Sequence, residues 1–144
     1  MTPTTRRLAG IILILFPAVA FGGASLLTMI VGDVPGYLDN PVRQDLWRAG
    51  HAHAGIMLII SLLILRYVDE TALNGAWLTV ARLGAPLAAI LMPLGFFLSV
   101  LSPEATEPSA LIALVPLGGL FLIAALLTTG IGLVRRPSPL SANE

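Results

Sequence analysis

At 144 residues, with 56% hydrophobic and 11% charged side chains and a mean hydropathy of +0.90, the chain has room for one domain and lacks the composition of a soluble one. Its eight basic and eight acidic residues cancel, but they are sorted by position, so the zero net charge is uninformative about partners and no nucleic-acid partner is expected. The absence of cysteine excludes disulfides, thiolate ligands and iron–sulfur clusters.

Crossing the hydrocarbon takes about 20 apolar residues, and four runs reach that length, at about 8–31, 47–67, 77–101 and 109–134. Runs this short and uniformly apolar close their own backbone hydrogen bonds only as helices. The expectation is an all-α membrane protein, a single four-helix transmembrane domain over 1–144.

The first run follows Arg6-Arg7 and holds Ala18-Val19-Ala20, which resembles a cleavable signal; because the run continues to Val31, a retained helix is expected. Pro17 in its middle predicts a bend. Gly32 to Leu46 carries Asp33, Pro35-Gly36, Asp39-Asn40-Pro41 and Asp45, turn residues that predict an ordered crossing over the bundle. The second helix is expected to start near Leu46 or Trp47 with Asp45 as its N-cap, and to end near Tyr67. A short loop, Asp69 to Ala76, makes the second and third helices antiparallel neighbours. The third opens at Trp77, with Pro86 and Pro93 for curvature and Gly84, Ala85, Ala88 and Ala89 for close packing. Before the fourth, Glu107 precedes Pro108, where a carboxylate complements a helix dipole. The fourth carries Pro116, Gly118-Gly119 and Gly130, then Arg135-Arg136 and a polar tail.

All eight basic residues are arginines. With the amino terminus inside, Arg6, Arg7, Arg66, Arg82, Arg135 and Arg136 fall on the inner side and only Arg43 and Arg48 outside, against Asp33, Asp39, Asp45, Glu104 and Glu107. The positive-inside rule therefore predicts both termini in the cytoplasm. With no transit-like segment, a bacterial cytoplasmic membrane is the expected location.

The chemistry concentrates in Trp47-Arg48-Ala49-Gly50-His51-Ala52-His53-Ala54-Gly55-Ile56-Met57, which holds both histidines. Ionisable residues inside a hydrophobic span mark function by default. At about 100° per residue, positions two apart point roughly 200° apart, so His51 and His53 face opposite sides of one helix and cannot share one metal from it. The surrounding Ala and Gly let a neighbouring helix or a flat cofactor approach. Metal or haem ligation, a pH-sensing or proton-relay role, and hydrogen bonding to neighbouring helices or water are the readings this pattern allows. Met57, one turn below His53, could complete a His/Met pair for copper or haem iron, though an ordinary lipid- or core-facing methionine is the favoured reading. Arg48 and Arg43 at the outer mouth could meet carboxylates, haem propionates included; for Arg43 a snorkelling interfacial role is favoured. No Ser/His/Asp constellation, phosphate loop or paired intramembrane carboxylate is present, which removes hydrolases and phosphoryl transfer.

If both histidines ligate, each second helix offers one ligand to either side, as a head-to-tail ring requires. His51 of one subunit could then meet His53 of the next across one porphyrin. A two-fold dimer pairs like with like and wastes half the ligands.

The Gly50-His51-Ala52-His53-Ala54-Gly55 segment resembles the His-x-His helix of the catalytic subunit of heme-copper oxidases and nitric oxide reductases, where two histidines serve two haems. That subunit's twelve helices form three arcs of four, and the present chain is similar to one arc. The resemblance implies a homotrimer with three haem b groups near the outer leaflet, held by His51 and His53 with Arg48 beside them. It implies electron transfer or redox or gas sensing, at most an oxidoreductase, with a redox partner the sequence does not name. The chain departs from that family in having no further histidine for a copper site and no His/Tyr cross-link pattern, so oxygen reduction is not expected. The competing expectations are a non-haem metal or proton-handling protein using His51, His53, Asp45 and Glu107, and a structural accessory subunit of a respiratory complex.

Overall fold

The computed structural model describes residues 1–135; Arg136 and the polar tail lie outside them. Four helices follow in order, α1 (Pro3–Val31), α2 (Pro41–Tyr67), α3 (Gly75–Ser99) and α4 (Leu114–Val134). A 3-10 turn, Val68–Glu70, continues α2, and a second, Ala110–Ala113, leads into α4. All four are long and apolar enough to cross a membrane, which makes the chain a multi-pass membrane protein.

The helix starts depart from the sequence expectation for local reasons. α1 begins at Pro3, before Leu8, because Thr2 caps it by accepting from Thr5 N–H at 3.4 Å. α2 begins at Pro41, not near Trp47. Asn40, not Asp45, is its N-cap, accepting from Arg43 N–H at 3.0 Å, and proline at the first helical position suits the missing donor. Asp45 is an exposed residue within the helix. α1 runs unbroken through Pro17, and α3 through Pro86 and Pro93.

Each helix packs on its chain neighbours, α1 on α2, α2 on α3 and α3 on α4, with only a small α2–α4 contact. The result is an arc. The two inner helices are partnered on both sides, whereas the most apolar stretches of α1 and α4 are each 11% buried. Ile12, Leu58 and Leu65 centre one apolar seam, with Phe16, Val19 and Ala89 against them. Ile64, Ala85 and Ala125 centre the other. The α3–α4 seam is the closest, because small residues remove side chains from it: a Cβ on Gly84 would lie 2.6 Å from the Phe121 carbonyl oxygen, and one on Gly118 2.6 Å from Met92 Cγ.

The antiparallel order puts the amino terminus, the α2–α3 loop and the end of α4 together at what is here called the terminal end. There Asp69 accepts from Arg82 Nη2 (2.9 Å), Thr5 Oγ1 (2.9 Å) and Thr2 N–H (2.5 Å), tying α1 to the α2–α3 turn and α3. At the opposite, far end the two long connections are joined: Asn40 Nδ2 donates to the carbonyls of Pro103 (2.8 Å) and Ala105 (2.9 Å). This is the ordered crossing that the turn residues predict.

Candidate functional site

The early start of α2 places His51 and His53 about three turns inside that helix, deeper than a start near Trp47 implies. Between them they look both ways along the arc. His51 faces α1, where Gly22 and Gly23 form a notch that receives the imidazole: a Cβ on Gly23 would lie 3.0 Å from both Cε1 and Nε2 of His51. His53 faces α3, its ring centroid 4.9 Å from that of Phe96. The opposed directions required by the helical period are present. Both rings are half-buried.

The two histidines differ in how their nitrogens are engaged. His53 Nδ1 lies 2.7 Å from the carbonyl oxygen of Ala49, one turn back. A carbonyl can only accept, so Nδ1 carries the proton and, in the neutral ring, Nε2 keeps its lone pair. A backbone carbonyl holding the remote N–H is the usual support of a metal-ligating histidine. Among the described residues none gives His51 such support, and its Nε2 is turned onto the α1 glycine notch.

The small residues of the segment are used by helix neighbours. Gly50 is buried against Phe96 and Phe97 of α3, and Gly55 stands 3.5 Å, measured from an added Cβ, from Val19 of α1. Met57, on the His53 face, is buried as a core residue.

Above the histidines, toward the far end, an aromatic cap closes the α2–α3 side. Trp47 Nε1–H donates to the Phe97 carbonyl at 3.2 Å, and its ring packs against Phe97 and Tyr37. The Arg43 guanidinium lies 4.2 Å from the Trp47 ring centroid and donates to the Gly36 carbonyl at 3.2 Å. The Arg43 side chain thus turns back onto its own helix and the loop before it. Tyr37 is 1% exposed, its hydroxyl without a partner among the described residues, and burial pushes that phenol above its ordinary pKa, against the opposing charge of Arg48. Arg48 itself is exposed, one turn before His51.

The acidic candidates stand apart. Glu107 is exposed and lies two residues before Ser109, the cap residue of the 3-10 turn that leads into α4. Among the described residues no three His, Asp or Glu side chains come together as a metal-holding group. The set His51, His53, Asp45 and Glu107 is therefore not gathered.

For an iron porphyrin the fit divides. His53 meets the requirement of a fixed tautomer with an available Nε2. His51 does not in this arrangement, because its ring fills the α1 notch. Gly22, Gly23, Phe96 and the Ala49 carbonyl carry no separate sequence signal for this role; of these only the Ala49 bond follows a local i−4 spacing. No protein family, no curated protein and no solved structure matches the chain.

Proposed function

We propose that the chain is a haem b-binding protein of a bacterial cytoplasmic membrane, both termini inside, working as a cyclic homotrimer in electron transfer or in redox or gas sensing. In this reading α2 offers His51 and His53 in opposite directions, so that each haem takes one histidine from each of two neighbouring subunits. The observation that supports it best is the His53 Nδ1–Ala49 carbonyl bond, which holds Nε2 ready as a ligand. Haem, when bound, supplies a one-electron iron centre whose potential depends on its axial ligands and burial. Phe96 packs beside the His53 ring at a centroid distance of 4.9 Å. Arg48, exposed a turn before His51, carries the charge that a carboxylate substituent needs.

The reading requires His51 to leave the Gly22–Gly23 notch. α1 has α2 as its main partner and is the least buried helix together with α4, so this seam is the least costly one to open. A second reading is favoured by the notch itself: His51 as a packing residue between α1 and α2, with His53 satisfied by its own helix. The reduced-minus-oxidised visible spectrum of the purified protein, supplied with haem during expression, separates the two. The haem reading expects a six-coordinate low-spin spectrum and native masses of three chains with three haems. A protein without a haem band leaves the packing reading, whereas a haem-loaded monomer would overturn the sharing of haems between subunits.

A further inference from the structure

Two apolar grooves run along α4 at the terminal end, away from the histidines. One, about 370 Å³, is walled by Leu126, Gly130 and Val134. The other, about 450 Å³, is walled by Leu73, Trp77, Ala124 and Thr128. They share Leu127, Ile131 and Arg135, successive residues of one i, i+4, i+8 row, so the grooves lie on either side of a single ridge and both end at Arg135. Leu73 closes the second groove by packing on α4, where a Cβ on Gly132 would lie 3.0 Å from Leu73 Cγ.

We propose that this surface binds one anionic glycerophospholipid, its two acyl chains seated on either side of the Leu127–Ile131 ridge and its phosphate on Arg135. Twin apolar channels converging on one cation match the shape of a two-chain lipid with one headgroup. Among the described residues lining the two grooves Arg135 is the one cation, so two separate lipids would compete for it. The exposed indole of Trp77 marks the depth where hydrocarbon gives way to headgroups. Net charge at this end of the bundle favours an anionic lipid over a zwitterionic one: Arg6 and Arg7 are exposed there on α1, while Asp69 is engaged by Arg82 and Glu70 by Arg66. The site involves neither histidine, so it stands or falls separately from haem binding.

Native mass spectrometry of the delipidated protein in detergent tests it, with phosphatidylglycerol, phosphatidylcholine of the same chains, and single-chain lysophosphatidylglycerol as probes. One diacyl phosphatidylglycerol per chain should be retained in preference to the other two. Arg135→Gln should lower its affinity about five-fold, the share one arginine contributes toward an anionic headgroup, and bring it level with phosphatidylcholine. Arg135→Lys should keep the preference. A Cβ on Gly130 meets nothing within 4 Å, so Gly130→Leu fills the first groove without a clash and should reduce the diacyl lipid to the level of the single-chain one. Unchanged helix content by circular dichroism confirms that all three variants remain folded. Equal retention of phosphatidylglycerol and phosphatidylcholine by the wild type, or phosphatidylglycerol binding unmoved by Arg135→Gln or Gly130→Leu, overturns the proposal.

Discussion

Asp69→Asn should loosen the terminal end of the arc by an amount that the local geometry sets. The Asp69 and Arg82 side chains are only 11% and 17% exposed, and Asp69 also accepts from Thr5 and from Thr2 N–H. Removing one partner of a buried ion pair costs about 3–5 kcal/mol, because the other charge is left without compensation. The partial exposure of this pair lowers that to about 2–3 kcal/mol, after allowing for solvent screening. Arg66–Glu70, spaced i, i+4 with side chains 62% and 44% exposed, provides the contrast: Arg66→Gln should cost no more than about 0.5 kcal/mol. Unfolding by SDS titration, followed by circular dichroism, measures both. A double-mutant cycle with Asp69→Ala and Arg82→Ala should show a coupling of about 2 kcal/mol, since the second removal no longer strands a charge. Singles that add within about 0.5 kcal/mol, or an Asp69→Asn protein as stable as wild type, would refute the reasoning.

Three further outcomes follow from the packing and the charge distribution. Gly84→Val should destabilise the α3–α4 seam by about 1–3 kcal/mol in the same titration, because its Cβ would meet a backbone carbonyl at 2.6 Å; Gly119→Ala, with nothing within 4 Å, should be neutral or slightly stabilising. Gly23→Val should expel the His51 ring from its notch, read as faster carbethoxylation of His51 by mass spectrometry, with His53 unchanged as the internal reference. Reporter insertions in the 71–74 loop should score cytoplasmic and one beside Glu104 external; the reverse would contradict the arginine count.

Much of the arc is legible in the sequence because its cause is uniform: four apolar runs fix four helices, and the helical period fixes the opposed directions of His51 and His53. The start of α2 is obscured by the dual character of Asp39-Asn40-Pro41, which suits a turn and an N-cap equally. The polar first turns around Arg43, Gln44 and Asp45 add to this by hiding the helix from any hydropathy argument. Partners contributed by other helices are not legible. Nothing around His51 announces that Gly22 and Gly23 will meet its ring, and Asp69 and Arg82 look like ordinary loop and helix-end charges until the α2–α3 turn and the start of α1 bring them together with Thr2 and Thr5.

Co-expression of His51→Ala with His53→Ala tests the shared use of the two histidines most directly, because each variant alone leaves every haem one ligand short. In a ring assembled at random from equal amounts, about a quarter of the interfaces should regain both ligands, about a quarter should have neither, and the rest should keep one. The proposed assembly therefore predicts that a low-spin spectrum, lost in each variant alone, returns in the mixture at roughly a quarter of the wild-type intensity per chain. A wild-type spectrum from either single variant, or a mixture that is the plain average of the two, would contradict it.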